Sequence, residues 1–358
     1  MKILHTESSP GWGGQELRIL REAEGMRARG HEVVLLVQKN GGLVEPARKS
    51  GLTVYETEFK KSRICQILWE LGRIICRHRI QIINTHSSLD AWLGGLIGKV
   101  MRRHVIRTRH LSTPIRSGLN SWLLYNFFAD DVVTTCEEVV DVIVKQAKLP
   151  LSRCRSIPTG LDPRAVEVCS KQVSLFREKL GVTPDEILVG TLCVLRGWKG
   201  VADMLEAAKL LEKEEKLKWI IVGEGASESY FKQEWTRLGL QDRVIFTGHI
   251  TPPFTALAAM DIFTLLSWAN EGVSQASLQA AWLKKPLVMT PTGGLKEVCL
   301  DGETGLRVAC RSPAQVSQAI QRLCREKELR KEMGEKAHRL VQSRFLLEHT
   351  LNQMEELY

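Results

Sequence analysis

The stretch Trp268-Ala-Asn-Glu-Gly-Val-Ser-Gln-Ala-Ser-Leu-Gln279-Ala, followed by Pro286-Leu-Val-Met-Thr-Pro-Thr-Gly-Gly-Leu-Lys-Glu297, decides how this chain is read. It runs from a polar turn into a helix, then into a buried strand closed by the glycine pair Gly293 and Gly294. Ser274 suits the N-cap, and a helix opening there points the free N–H groups of its first turn at an anion. Glu271 sits just before the turn, and Gly272 lets a ligand approach the backbone. Val273 and Gln275 flank the cap, and Gln279 lies about one and a half turns inside the helix, at roughly 3.6 residues per turn. From there it reaches a second part of the same ligand, so the segment reads as a place to hold a nucleotide.

Outward from this stretch, short apolar runs alternate with longer amphipathic ones, which predicts an α/β fold of parallel sheets with crossover helices. Strands are expected over residues 2–5, 32–37, 52–55, 80–84, 105–108 and 132–135, and again over 187–192, 218–222, 244–246, 262–266 and 286–289. Helices are expected over 16–29, 60–79 and 91–102, and throughout 326–358. At 358 residues the chain suits two domains, each able to bury its own core. Two prolines and a glycine in Ile157-Pro-Thr-Gly-Leu-Asp-Pro163 place the boundary there.

No run approaches the roughly 18 apolar residues that span a bilayer. The start, Met1-Lys-Ile-Leu-His-Thr, reads as a first strand rather than a leader, and a cytoplasmic location is expected. Nine cysteines are scattered from Cys65 to Cys324 without a Cys-x-x-Cys pair, which suggests reduced thiols, mostly buried. Charge is divided unevenly: 25 Lys and Arg stand against 17 Asp and Glu through residue 170, and 25 against 24 beyond it. Part of this excess lies on residues 60–79, where Ile64, Ile67, Leu68, Leu71, Ile74 and Ile75 fall at helical spacing. That pattern gives a core-packing helix whose basic face is free for solvent or for anionic lipid headgroups, where each basic residue contributes on the order of 1 kcal/mol.

Several further motifs recur in a fixed order: Gly13-Gly14-Gln15-Glu16, Arg107-Thr-Arg-His110, Ile157-Pro-Thr-Gly-Leu-Asp162, Leu195-Arg196-Gly-Trp-Lys199-Gly200 and Ile221-Val-Gly223-Glu-Gly225. With the Glu271 segment they resemble the family-4 retaining glycosyltransferases of the GT-B fold, over most of the chain. The resemblance implies two Rossmann-like domains facing across a cleft. The N-terminal, acceptor-side domain would occupy 1–160, the nucleotide-sugar donor domain 161–340, and a final helix over 341–358 would cross back onto the first. Two positions depart from the family pattern. Gln279 replaces a second Glu associated with the nucleotide ribose, and Val194 stands where an Arg is commonest, leaving Arg196 nearby. An amide offers one acceptor and one donor where a carboxylate offers two charge-assisted acceptors, so weaker ribose binding or another nucleotide preference is expected.

Each candidate residue has two readings. Gly13 and Gly14 face a diphosphate or the acceptor, or form a plain strand-to-helix turn; Glu16 contacts the acceptor or complements the helix dipole. His110 either serves structure or meets a donor-sugar hydroxyl, as the resemblance implies, and His86 is a second strand-end histidine available to the acceptor. Arg196 and Lys199 follow an apolar strand, where fixed cations would stabilise the charge growing on a departing diphosphate. Gly223, Gly293 and Gly294 would add backbone donors for donor sugar or phosphates. No ligand-spaced His/Asp/Glu cluster and no Asp-x-Asp triplet is present, so no metal cofactor is expected.

The resemblance implies transfer with retention at the anomeric carbon, the departing diphosphate helping to deprotonate the acceptor, with Glu271 on donor hydroxyls and no separate catalytic base. The expected partners are a nucleoside-diphosphate sugar and a glycan or lipid-linked acceptor in cell-surface polysaccharide or lipopolysaccharide synthesis, at the inner face of the plasma membrane. A nucleotide-sugar epimerase or phosphorylase on the same architecture, and a non-catalytic protein for anionic ligands, are the alternatives. Nucleic acid is not expected, because aromatics are sparse and no recognition module appears.

Overall fold

The run Val33-Val-Leu-Leu-Val37 has every side chain buried, as happens in a parallel sheet covered on both faces. In the computed structural model, which describes every residue except Leu111, Ser112 and Pro114, it forms part of a seven-stranded sheet. The strands are β1 (Lys2–Glu7), β2 (Glu32–Gln38), β3 (Thr53–Thr57), β4 (Ile82–Thr85), β5 (His104–Arg109), β6 (Asp131–Thr134) and β7 (Cys154–Ser156). Their order is β3-β2-β1-β4-β5-β6-β7, and the pairings are parallel. The order reverses at the β1–β4 pair, the point in such a sheet where strand ends leave a crevice.

Alternate residues feed two cores. Ile3 and Leu35 pack with Ile19, Ala23 and Met26 of the helix Gly14–Ala28. Leu4 and Leu36 pack instead with Ile67, Leu71, Ile74 and Ile75 of the helix Ile64–His78. The chain's last helix, Leu347–Glu355, belongs to the first core through Leu347, Leu351 and Met354. It lies so close to Gly25 that a Cβ there would stand 2.4 Å from a Leu351 methyl carbon. One compact unit thus comprises Met1–Gly160 with Leu347–Tyr358.

The other unit, Leu161–Leu346, has its own six-stranded sheet. Its strands are β8 (Ile187–Leu192), β9 (Leu217–Val222), β10 (Val244–Gly248), β11 (Ile262–Leu265), β12 (Leu287–Met289) and β13 (Gly305–Arg307). They are parallel in the order β10-β9-β8-β11-β12-β13, with the reversal at β8–β11. Trp219, Phe231 and Leu323, all essentially inaccessible, anchor its core.

Three expectations need correction. Residues 326–358 are not one helix: Lys327–Arg344 ends where buried Phe345 and half-buried Leu346 turn aside, the Phe345 carbonyl accepting from the Leu161 N–H and Leu346 bridging Leu161, before Leu347–Glu355 begins. Ile64 does not join the core: it lies on the same stripe as Ile67 and Leu71 but, as the first residue of the helix, is 37% exposed. The thiols are not mostly buried either. All nine cysteines are free, but Cys65, Cys76, Cys169 and Cys310 are exposed, the first two on the outward side of the helix Ile64–His78. Strands β7 and β13, three residues each, escaped notice because so short a run carries no periodicity.

Candidate functional site

In the second unit the loops at the carboxyl ends of β8, β9, β11 and β12 are drawn together by backbone contact. After β8, a 3₁₀ turn over Gly197–Lys199 closes on Gly200, whose φ of +72° favours glycine. A Cβ at Gly200 would lie 2.1 Å from the Leu266 carbonyl oxygen, so this turn rests directly on the end of β11. Gly293, beyond β12, has φ +55° and would place a Cβ 1.9 Å from the Glu271 carbonyl oxygen. A Cβ at Gly294 would lie 2.4 Å from the Val273 nitrogen and 2.5 Å from the Gly272 carbonyl carbon, and Gly223 after β9 presses on the Cys193 carbonyl.

The result brings Lys199 to Glu271, with Nζ 2.5 Å from Oε1 and both side chains largely buried, 18% and 6% exposed. Ser274 caps the helix Gln275–Trp282, its hydroxyl accepting from the Ser277 N–H at 3.4 Å. Gln279 is half-buried on that helix, and its side-chain amide makes no hydrogen bond among the described residues. Arg196 is not drawn in beside Lys199. It is exposed, its guanidinium 5.2 Å from the centre of the Trp198 ring. Arg311 holds a similar cation–π position over Trp268, 4.1 Å from the ring centre, a second basic group that its place after β13 gave no reason to notice.

In the first unit the strand ends carry a buried polar layer instead. His5 Nδ1 lies 2.9 Å from His86 Nε2, and His86 Nδ1 lies 3.0 Å from His110 Nε2. Burial disfavours the imidazolium form and pushes all three downward, His86 and His110 strongly, with the Arg18 and Arg107 guanidiniums acting in the same direction. Behind them Arg18 and Glu22 form an inaccessible pair at 2.8 Å, and Glu22 also accepts from Asn84 and from the Tyr358 hydroxyl. Asp90, in a capping box with Ser87, accepts from Thr6, Ser8 and the His86 N–H.

Glu7, at the end of β1, is pushed up to about 7 by burial and then by the nearby Asp90 charge, against hydrogen bonds from Ser87, Ser9 and Gln15. Gly13 precedes the helix Gly14–Ala28 in extended conformation, and Glu16 in its first turn is buried, its carboxylate 3.6 Å from where a Gly13 Cβ would stand. Sequence reading found His86, His110 and Glu16 but missed His5, Glu7, Arg18 and Glu22. A charged residue ending an apolar strand was the available signal for Glu7; the i, i+4 spacing of Arg18 and Glu22 looks like any solvated helix pair. Among the described residues no group of three His, Cys, Asp or Glu side chains is placed to hold a metal ion.

Two family models match the chain in succession, Glycosyltransferase Family 4 over residues 12–165 and Glycosyl transferases group 1 over residues 173–340. Among curated proteins, the chain is 23% identical to N-acetyl-alpha-D-glucosaminyl L-malate synthase of Bacillus anthracis over 296 residues, covering 81% of this chain and 77% of that one. It is 29% identical to alpha-monoglucosyldiacylglycerol synthase of Streptococcus pneumoniae over 206 residues, 52% of this chain and 46% of that one. Among solved structures, Anabaena HepE in complex with UDP superposes with a TM-score of 0.88 at 22% identity, covering 100% of this chain and 99% of that chain. WaaG, a glycosyltransferase involved in lipopolysaccharide biosynthesis, superposes at 0.75 with 16% identity, covering 99% of each. The architecture is therefore GT-B.

Proposed function

Because this chain belongs to the family-4 glycosyltransferases, we propose that it moves a sugar from a nucleoside-diphosphate sugar to a hydroxyl acceptor, with retention at the anomeric carbon. The observation that carries this reading is the buried Lys199–Glu271 pair, held among four glycine-lined loops at the carboxyl ends of a parallel sheet. Close backbone approach leaves these loops compact around a small polar centre, and the capped helix Gln275–Trp282 begins beside it. A diphosphate bound there would meet the Lys199 ammonium, the N–H groups of that first turn and the Gly293–Gly294 backbone.

As the bond to the anomeric carbon breaks, negative charge grows on the diphosphate, and Lys199 stabilises it; Arg196 adds a second cation only by leaving the Trp198 ring. Glu271, held by Lys199, accepts hydrogen bonds from donor-sugar hydroxyls. His110 meets a donor-sugar hydroxyl, and Glu16 and the Gly13–Gly14 turn are offered to the acceptor; His86, sealed and bonded through both ring nitrogens to His5 and His110, is not available to the acceptor as its sequence position suggested. The departing diphosphate takes the acceptor proton on the same face. The UDP complex of HepE supports uracil as the first base to try, and Gln279 is the position expected to modulate ribose binding.

For the acceptor we favour a glycan or lipid-linked glycan of the cell surface, met at the inner face of the plasma membrane. Glycolipid synthesis in the pneumococcal relative supports this, as does the outward side of the helix Ile64–His78, where Trp69 is 64% exposed among Lys61, Arg63, Arg73 and Arg77. No described helix is long and apolar enough to cross a membrane, so the contact would be peripheral. The test is to incubate the full chain with UDP-glucose and other nucleotide sugars in EDTA, with and without vesicles containing anionic lipid and glycolipid. Nucleoside-diphosphate release with an α-linked product from an α-linked donor supports the reading. No turnover of any donor, or an inverted product, overturns it.

A further inference from the structure

His5, His86 and His110 are arranged in a file at the strand ends of the first unit, and their ring contacts admit few proton arrangements. Each N···N contact, at 2.9 and 3.0 Å, needs one N–H and one lone pair. Among charged groups, Glu22 favours protonation of His5 and Arg18 opposes it; His86 is opposed by His110 and His5, then by Arg107 and Arg18, and His110 by Arg18 and Arg107. With exposures of 1%, 2% and 8% from His5 outward, burial decides the matter and all three rings are neutral.

Three neutral rings joined at these nitrogens have only two fillings. In one, every ring carries its proton on Nε2, so His5 Nε2–H ends the file inside the protein and His110 Nδ1 is a bare acceptor. In the other, every ring carries it on Nδ1; His5 donates to His86, His86 donates to His110, and His110 Nδ1–H points onward as a donor. His5 Nε2 is sealed from solvent and has no hydrogen-bond partner. Among main-chain groups an orphaned buried N–H is rarer than an under-used acceptor, and by the same reasoning we take the second filling, which leaves a lone pair rather than an N–H sealed at His5 Nε2. At the outer end, His110 Nδ1 makes no hydrogen bond among the described residues and is not one of the sealed, unpartnered atoms.

We infer that His5 and His86 are positioning residues that fix His110 in its Nδ1–H tautomer, presenting a hydrogen-bond donor to an oxygen at the strand ends. The inference rests on the reading of His110 as a donor-sugar contact. It deepens that reading by giving the direction of the bond. The sugar hydroxyl then accepts from His110 and keeps its own proton free for another acceptor. A donor lacking that hydroxyl oxygen would leave the Nδ1–H unpaired and be rejected, whereas a fluorine replacement, a weak acceptor, would be tolerated in part.

The experiment is imidazole nitrogen NMR on the full chain labelled with ¹⁵N-histidine, at pH 7.5. The three ring systems are assigned by their loss in His5→Asn, His86→Gln and His110→Asn. The expected result is protonated Nδ1 and bare Nε2 in all three, unchanged between pH 6.5 and 8. Mixed tautomers, the all-Nε2–H filling, or an imidazolium among the three overturns the inference. His86→Leu then removes the link: His110 should lose its uniform Nδ1–H state, and an unchanged His110 spectrum would show that the file does not set it.

Turnover separates this from the parent reading. Loss of at least 100-fold in kcat with His110→Ala, but only 3- to 10-fold with His86→Leu and little change in nucleotide affinity, is expected of a positioning role. Full turnover in His110→Ala would sink the donor-sugar reading while the spectra still decide the proton arrangement.

Discussion

The strand ends of the two sheets solve the same topological problem with different materials. In the first unit the crevice at β1–β4 is filled by side chains: the histidine file, the Arg18–Glu22 pair and the Asp90 capping box. In the second unit the crevice at β8–β11 is walled by backbone, with Gly200, Gly223, Gly293 and Gly294 each replacing a side chain that would collide with a neighbouring loop. The first arrangement fixes hydrogen-bond direction by burial. The second leaves room and N–H groups for a charged ligand, with Lys199 and Glu271 as its principal ionised pair. One region is thus sensitive to loss of a partner, the other to added bulk.

The largest effect should come from breaking the first region at its inaccessible pair. Arg18→Met strands the Glu22 carboxylate among apolar and neutral groups, and breaking such a pair costs about 3–5 kcal/mol. Urea unfolding should register that loss. In the second region Lys199→Ala should lower kcat by roughly 10²- to 10³-fold, the magnitude of removing one group that stabilises developing charge. It also takes the ammonium away from the buried Glu271 carboxylate, so the variant should melt earlier. Adding Glu271→Gln should recover thermal stability without recovering turnover, and recovery of both would deny Lys199 its role.

Added bulk gives the next test. Gly293→Ala combines positive φ with a 1.9 Å collision against the Glu271 carbonyl oxygen and should cost about 1–3 kcal/mol. Gly302→Ala has the same backbone strain at φ +74° but open space, and should cost about 1 kcal/mol. Equal effects would show that close loop approach is not what the second region depends on.

Acid separates the regions as well. His5, His86 and His110 are held below the usual histidine value, so they contribute stability above it that is lost as pH falls. Below about pH 6.5, the unfolded value, each costs ~1.4 kcal/mol per pH unit until its folded value is reached. Glu7 has the opposite sign: raised to about 7, its contribution is present at low pH and lost as pH rises towards 7. Three groups outweigh one, so the melting temperature should drop between pH 7 and pH 5.5. A flat profile would mean that the histidines are not held neutral by the fold.

The smallest effect is expected at Gln279→Glu. A carboxylate on that half-buried helix position gains charge-assisted acceptance from a ribose diol, so nucleotide affinity should rise, by less than about tenfold. Calorimetric titration would show it, and no change would remove Gln279 from the ribose contact.

The second region was far more legible in the sequence than the first. Glycines, a serine cap and a lysine after an apolar strand are local signals, because backbone conformation and helix starts are decided within a few residues. Ser274, Gly200, Gly223 and Gly293 could therefore be read from neighbours, and the strand–helix alternation gave both sheets apart from the short edges β7 and β13. The histidine file was only partly legible. His86 and His110 end successive strands and drew attention, but His5 lies 81 positions from His86, and only strand pairing brings them together. Arg18 and Glu22 looked like surface charges because nothing local reveals that helix face to be sealed. The pairing of Lys199 with Glu271, 72 positions apart, likewise needed the fold.

The central claim is that the glycine-walled end of the second sheet receives a nucleoside diphosphate through Lys199. It is tested most directly by thermal melting of the full chain with UDP, GDP, ADP and CMP in EDTA, beside Lys199→Ala. One nucleoside diphosphate should raise the melting temperature of the native chain, by an amount that grows with concentration, and should lose most of that effect in the variant. No shift with any of them, or an equal shift in Lys199→Ala, would contradict it.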